Sequence, residues 1–307
     1  MKTLVTGGAG FIGSHIVEEL LARKHDVRVL DDLSTGSLAN LPKNGIKFIR
    51  GSVTDRAALD KAVKGMDVVF HEAAQVSVAR SMEHPKETWE TNIRGTKLLL
   101  NAAVKAGVKR VVFASSAAVY GNAIPPLDEG KDLKPISPYG DSKRMGELLM
   151  EEYAKKERIS TISLRYFNVY GPRQDPKSGY SGVITKFIDR MIRGEKPLVF
   201  GNGMQTRDFI FVKDVARANM LAMEAEKAKG SVYNVATGTG VSINELAKTL
   251  NSVLGTQLEP MFEAEKGGDI KYSWADASLA RAKLGFEART ALSAGLAETV
   301  AWYRRKK

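Results

Sequence analysis

In the first half of the chain the apolar positions fall in short continuous runs, separated by stretches with helical spacing. Residues 3–6, 26–30, 46–50, 67–71, 110–115 and 160–165 read as strands. Each is short and rich in branched apolar residues. Runs that are apolar throughout, without alternation, predict strands covered on both faces. Helical patterns lie between them at 11–23, 56–63, 88–106 and 138–156. Ser137-Pro138 opens the last of these, with serine suited to the cap and proline to the first helical position. Strand–helix alternation predicts an α/β fold, a Rossmann-type doubly wound parallel sheet, with ligands at the carboxyl ends of its strands.

Beyond Arg165 the pattern loses its regularity. Gly171-Pro172 and the stretch 176–182 break it, and short mixed segments follow. The expected division is a nucleotide-binding domain over 1–165 and a smaller mixed α/β substrate lobe over 166–307. Segments at about 208–240 are expected to return to the first domain, with 232–235 as a further strand.

Composition narrows the chemistry. The 307 residues are 43% hydrophobic and 26% charged, ordinary for a soluble globular protein. No apolar run approaches the ~18 residues of a membrane span. The first residues lead straight into a glycine turn, so the expectation is no signal peptide, no membrane association and a cytoplasmic location. The absence of cysteine excludes disulfides and thiolate catalysis, and four histidines (His15, His25, His71, His84) leave little for a metal site. No metal is expected. Lys+Arg 46 against Asp+Glu 35 gives +11. The basic residues are dispersed and no nucleic-acid motif accompanies them, so nucleic acid is not the expected partner. The excess suits an anionic small substrate.

Gly7-Gly8-Ala9-Gly10-Phe11-Ile12-Gly13 lies between the first strand and the first helix, with Gly7, Gly10 and Gly13 three apart. Glycines there allow a tight turn, a close approach to a pyrophosphate and close helix–strand packing, with helix N–H groups facing the anion. Asp31 ends the second strand, beside Asp32. A carboxylate there accepts from ribose hydroxyls and repels a 2′-phosphate, which favours NAD over NADP. Downstream, Tyr139 and Lys143 are four apart on one helix, so they share a face. A cation beside a phenol lowers a pKa near ~10 and makes Tyr139 a candidate general base. Ser116, at a strand end, can hydrogen-bond the same reacting hydroxyl. His71 reads as a satisfied buried residue, and the other three histidines as surface or helix positions. Arg207 is either a phosphate ligand or a salt-bridge partner of Asp208 or Asp214. Met145, Leu148 and Leu149 read as helical packing.

These residues resemble the extended short-chain dehydrogenase/reductase family and, within it, the nucleotide-sugar epimerases. The resemblance runs from the glycine turn to about Phe286 and rests on motifs in combination. They are Asp31-Asp32-Leu33-Ser34-Thr35-Gly36, His71-Glu72-Ala73-Ala74, Asn92, Ser116, Tyr139 with Lys143, Arg165-Tyr166-Phe167-Asn168-Val169-Tyr170-Gly171, the run from Arg207 to Asp214, and Trp274-Ala275-Asp276. It implies that Phe11, Ile12, Ser52, Val53, Ala73, Ala74, Asn92 and Tyr166 join the glycines, Asp31, Asp32, Tyr139 and Lys143 around NAD. It also implies a UDP-hexose substrate held by Ser116, Tyr139, Asn168, Arg207, Lys266, Asp269 and Ser273. Ser52 stands where an aspartate commonly reads the adenine edge. Lys266 stands where an arginine usually grips the diphosphate, keeping the charge without the fork. Asp269 would meet the nucleotide ribose. Ser273 aligns with a position that gates sugar size, and a small residue there would admit an N-acetylated hexose. A homodimer through helices 88–106 and 138–156 is implied as well.

The implied reaction removes the 4-hydroxyl proton through Tyr139 and Ser116, passes through a 4-keto sugar, and returns hydride to the opposite face. Dehydratases and decarboxylases of nucleotide-sugars tend to carry acidic residues beside the serine or threonine. Here those positions are Ala117 and Ala118, which transfer no proton. The alternatives are epimerisation of a UDP-N-acetylhexosamine or UDP-uronic acid, and a non-catalytic NAD(H)-binding sensor.

Overall fold

The computed structural model describes residues 1–157, 159–175, 182–226, 229–265 and 270–306. The chain begins β1 (Lys2–Thr6), α1 (Phe11–Ala22), β2 (Asp26–Asp31), β3 (Ile46–Arg50), α2 (Arg56–Val63) and β4 (Val68–His71). Two short helices, α3 (Val78–Glu83) and α4 (Pro85–Trp89), precede α5 (Gly95–Lys105). Then come β5 (Arg110–Ser116), α6 (Pro138–Lys156) and β6 (Ser160–Tyr166).

Seven parallel strands form the central sheet, in the order β3-β2-β1-β4-β5-β6 and then Ser231–Val235. Side chains alternate across it. Leu4, Val69, Val111 and Phe113 point to the layer with α2, α5 and α6, where Leu59, Leu99 and Met150 meet them. Val5, Phe70, Val112 and Ala114 point to the opposite layer, where Ile16, Val17 and Leu20 of α1 meet Val215 and Ala218. Both faces are covered, which accounts for the unbroken apolar runs. The chain leaves β1 toward β2 and β3 and then crosses back to β4. The loops after β1 and β4 therefore diverge at the switch point of the sheet, where such folds bind ligands.

One helix expected over 88–106 is divided. Helix α4 runs into a π-helical turn at Glu90–Arg94 before α5. Asn92 sits in that turn, and its carbonyl accepts Thr96 Oγ1 at 2.5 Å. Turns of this kind recur at functional sites.

Past β6 the elements shorten. Strand β7 (Asn168–Tyr170) is followed by α7 (Val183–Ile192), β8 (Leu198–Phe200), β9 (Thr206–Arg207), β10 (Phe209–Phe211) and α8 (Val212–Glu224). Strand β11 (Ser231–Val235) closes the main sheet against β6. Then come β12 (Val241–Ser242), α9 (Ile243–Leu254), β13 (Met261–Glu263), β14 (Tyr272–Ser273), α10 (Ser278–Leu284) and α11 (Leu292–Lys306). Three small sheets pair β7 with β10, β8 with β13, and β9 with both β12 and β14. Phe187, Ile188, Leu246, Leu250 and Leu296 give this part its own core. Among the described residues, no helix is long and apolar enough to cross a membrane.

Candidate active site

The glycine turn sits at the switch point. Gly7 has φ +68°, and a Cβ on it would lie 2.7 Å from Ala73 N, in the loop after β4. A Cβ on Gly13 would lie 2.3 Å from Gly7 O. Only glycine permits both approaches. Helix α1 starts at Gly10 with no side-chain cap, so the first-turn N–H groups of Phe11 and Ile12 are not taken by a capping side chain. That is the chemistry of an anion cradle. Asp31 is buried at the end of β2. Its Oδ2 accepts from Ala9 N at 2.9 Å and its Oδ1 from Leu33 N at 2.8 Å. These bonds tie it to the glycine turn and use two of its roughly four lone-pair sites, which leaves acceptor capacity for a diol. Burial raises its pKa, and the two backbone N–H groups oppose that. Asp32 is exposed and caps its own turn through Ser34 N at 2.9 Å. Ser52 Oγ lies 2.9 Å from Thr54 Oγ1 in the loop that leads to α2, while Val53 is buried against Gly95.

His71 links this turn to Asn92. Thr96 Oγ1 donates to Asn92 O, so it accepts from His71 Nε2 at 2.9 Å; His71 Nδ1 then accepts from Thr6 Oγ1 at 2.8 Å. The network assigns the tautomer. Burial, then the charge on Lys143, pushes His71 down to about 3. It is the satisfied buried residue the sequence suggested. His15 is also buried, on α1, with Nε2 3.0 Å from Pro172 O; burial pushes it down to about 4. Asn92 holds two segments together: Oδ1 accepts from Gln75 N at 2.7 Å, and Nδ2 donates to Gln75 O and Ser142 Oγ, both at 2.9 Å. The loop carrying Ala73 and Ala74 is thereby fixed against α6.

Helix α6 begins as its sequence dictates, with Ser137 Oγ accepting from Gly140 N at 3.1 Å and Pro138 in the first turn. Ser81 Oγ accepts from Tyr139 N at 3.1 Å, so α3, unforeseen from the sequence, braces this end. Ser116 ends β5. Its Oγ accepts from Ala118 N at 3.1 Å, and Ser116 lies close enough to the Tyr139 phenol to favour its ionised form. Lys143 is buried, with Nζ 2.7 Å from Ala114 O and 5.9 Å from the centre of the Tyr139 ring.

The electrostatics correct one expectation. Lys143 was expected to lower the Tyr139 pKa; in the structure the phenol is raised above its usual value. Burial is the main cause, Ser116 opposes it, and the Glu72 carboxylate adds to it. Burial also pushes Lys143 down to about 8, against the attraction of Glu72 and Glu147. Sequence spacing shows the cation beside the phenol but not the dry surroundings that disfavour both charged forms.

Two carboxylates here were missed from the sequence. Glu72 follows β4, accepts from Tyr166 Oη at 2.9 Å, and is pushed up to about 7 by burial. Glu147 lies one turn beyond Lys143 and takes Ser115 Oγ at 2.6 Å. The only signal was position: an acid next to the strand-end histidine, and another four residues after the lysine.

The other proposed contacts lie along β7, β9 and β14. Asn168 Nδ2 donates to Asp208 O at 3.2 Å. Arg207 and Ser273 are register partners across β9 and β14, and Ser273 is buried. The Asp208 carboxylate accepts from Thr237 N, Thr237 Oγ1, Gly238 N and Ala275 N at 2.7–3.3 Å. Asp214 takes Arg217, Arg289 N and Thr290 N at 2.9–3.1 Å. Both acids thus have partners other than Arg207, whose Nη1 donates to Thr206 O at 2.8 Å. Lys266 and Asp269 lie outside the described residues.

Residues 3–236 match the model of the NAD-dependent epimerase/dehydratase family. The chain belongs to the NAD-dependent epimerase/dehydratase family. A relative named as a putative UDP-glucose 4-epimerase of Methanocaldococcus jannaschii is 40% identical over 98% of both chains. Among solved structures, the UDP-glucose 4-epimerase of Thermotoga maritima with UDP-glucose superposes with a TM-score of 0.95 at 41% identity, covering 100% of this chain and 99% of the other. The UDP-N-acetylglucosamine 4-epimerase of Methanobrevibacter ruminantium, in complex with UDP-N-acetylmuramic acid, gives 0.95 at 38% over the same shares. The cofactor of this family member is NAD, and its substrate class is nucleotide-sugars. The glycine cradle, the uncapped start of α1 and the buried Asp31 fit that cofactor.

Proposed function

We propose that this epimerase interconverts UDP-glucose and UDP-galactose by reversible oxidation at carbon 4. The observation that carries the reading is Ser116 at the end of β5 together with the buried Tyr139–Lys143 pair on α6, with Ala117 and Ala118 at the positions after the serine, where no acid stands to drive dehydration or decarboxylation. NAD, when bound, supplies a positive ring and a reversible hydride acceptor. The cradle of Gly7, Gly10 and Gly13 would hold its pyrophosphate, Asp31 and Asp32 a ribose, and Ala73, Ala74, Asn92 and Tyr166 the remainder with Ser52 and Val53. Tyr139 takes the 4-hydroxyl proton and Ser116 bridges the two oxygens. Lys143, the nearby cation, stabilises the phenolate. Asn168 and Arg207, with Lys266 and Asp269, would hold the UDP, leaving the hexose to turn over between hydride transfers.

A second reading, a UDP-N-acetylhexosamine or UDP-uronic acid as substrate, draws on the small buried Ser273 opposite Arg207 and on the similarity to a UDP-N-acetylglucosamine 4-epimerase. The test is to incubate the purified protein with UDP-galactose, with and without added NAD, and follow UDP-glucose by chromatography. Conversion supports the first reading. Its absence, with conversion of the N-acetylated or uronic substrate, supports the second. We further propose a homodimer packed through α5 and α6, because Met145 and Leu148 are 37% and 39% exposed on α6 and Trp89 and Met82 are exposed nearby. Sedimentation as a monomer at micromolar concentration would reject it.

A further inference from the structure

Glu72 stands between the glycine turn and the Tyr139 helix, and the chemistry proposed above gives it no part. Its N–H donates to Thr6 O at 3.2 Å, which fixes it at the end of β4. Tyr166 Oη, from the end of β6, donates to Glu72 Oε1 at 2.9 Å. Asn219 Nδ2 of α8 donates to the Tyr166 oxygen at 2.8 Å and to Val215 O at 2.9 Å. The carboxylate is half-buried and anchored through a two-residue tether, and because His71 and Phe113 are register partners, Glu72 follows beside Ala114, whose carbonyl accepts from Lys143 Nζ at 2.7 Å. We propose that Glu72 is a positioning residue that, anchored by Tyr166 and Asn219, keeps Lys143 charged and sets the pH at which Tyr139 yields its proton. This rests on reading Tyr139 and Lys143 as the reacting pair.

Three titratable groups besides Tyr139 bear on Lys143: Glu72 from the end of β4, Glu147 along α6, and His71 of β4, which burial keeps neutral. Tyr166 of β6 and Tyr139 and Lys143 of α6 bear on Glu72. Glu147 is already gripped by Arg165 and Ser115. Glu72, among the described residues, accepts no side-chain hydrogen bond from a cation, so its charge is felt more fully by Lys143. A negative Glu72 favours the ammonium and disfavours the phenolate; a neutral one does the reverse. Burial pushes Glu72 up to about 7, so both forms are populated near neutrality.

The test needs no turnover. The full chain, with its lysines labelled at 13Cε, is titrated by NMR without substrate, and the Lys143 signal is assigned by its loss in Lys143→Arg. The expected midpoint is about 8. Glu72→Gln should lower that midpoint by about one pH unit, whereas Glu72→Asp should leave it near the parent value. Glu72→Leu repeats the neutral substitution should the glutamine variant fail to fold. An unchanged Lys143 midpoint in the neutral variant overturns the proposal whether or not any UDP-sugar is converted. Where conversion is measurable, both limbs of the pH–rate profile should move to lower pH in Glu72→Gln. A profile that only loses height marks a merely structural role and also overturns it. Titration as expected without conversion of any nucleotide-sugar would leave the Glu72–Lys143 relation standing and reject the catalytic reading.

Discussion

Glu147 grips the guanidinium of Arg165 with both oxygens, Oε1 to Nε at 2.8 Å and Oε2 to Nη2 at 2.9 Å, with both side chains almost fully buried. The pair joins α6 to β6, and Ser115 Oγ brings in β5 at 2.6 Å. Arg165 continues to Tyr120 Oη at 2.9 Å, and Tyr120 to Asn234 of β11 at 2.7 Å. Strands β5, β6 and β11 and helix α6 meet on this network, which borders Ser116 through its neighbour Ser115. Removing one partner leaves a buried, uncompensated charge, which costs about 3–5 kcal/mol. Glu147→Gln is therefore expected to lose stability on that scale in denaturant unfolding. A loss below about 1 kcal/mol would show that water already screens the pair.

The buried histidines make stability depend on pH with a definite sign. His71 and His15 titrate near 6.5 when unfolded but are pushed down to about 3 and about 4 when folded. Below 6.5 the unfolded chain binds protons that the folded chain does not, so stability is lost as pH falls toward those values. Glu72 acts in reverse: its folded value of about 7 costs stability as pH rises through 4.5 to 7. Melting temperature measured from pH 7 to 5 should fall, and His71→Gln should flatten the fall by up to about 1.4 kcal/mol per pH unit. Equal slopes for the two proteins would place His71 in contact with solvent.

The sheet was legible because both of its faces are dry. Val5, Phe70 and Val112 face one layer and Leu4, Val69 and Val111 the other, so each strand reads as an apolar run. The glycine turn, Ser116, Tyr139 and Lys143 were legible from local spacing. What spacing could not show was assembled from distant segments. The Glu72–Tyr166 bond spans 94 residues and Ser115–Glu147 spans 32. The raised Tyr139 pKa comes from burial by the same assembly. Strands β9, β12 and β14 have two residues each, too few for any period to register. The π-helical turn was hidden because Glu90–Arg94 has ordinary helical composition; what accompanies it is the bonding of Asn92 to Gln75 and Ser142.

Gly13 tests the cofactor cradle. It is fully helical and needs no unusual backbone, so Gly13→Ala would raise intrinsic helix propensity by ~1 kcal/mol. Its added Cβ would lie 2.3 Å from Gly7 O and 2.8 Å from Gly8 Cα, both backbone atoms that cannot rotate away. The turn must shift, and the N–H groups at the start of α1 shift with it. NAD affinity, read by fluorescence titration, is expected to fall at least tenfold while the fold persists by circular dichroism. Unaltered affinity would mean that the pyrophosphate does not rest on this turn.

The last prediction separates chemistry from binding. Tyr139→Phe removes the phenolic oxygen and leaves the ring near Lys143 and the backbone bond to Ser81 in place. If Tyr139 moves the proton, conversion of UDP-galactose should fall by about 10²–10⁴-fold, with NAD binding within a few-fold of the parent. Ser116→Ala keeps the phenol but removes the partner that lowers its pKa, and it also leaves Ala118 N without the Ser116 oxygen. Its rate should fall less, and its acid limb should move to higher pH, because a buried phenol without that polar neighbour is harder to ionise. A Ser116→Ala profile of unchanged shape would mean that the serine only shapes the 3₁₀ turn at Ala117–Tyr120 and that Tyr139 ionises without it. Full activity in Tyr139→Phe would remove the tyrosine from the reaction.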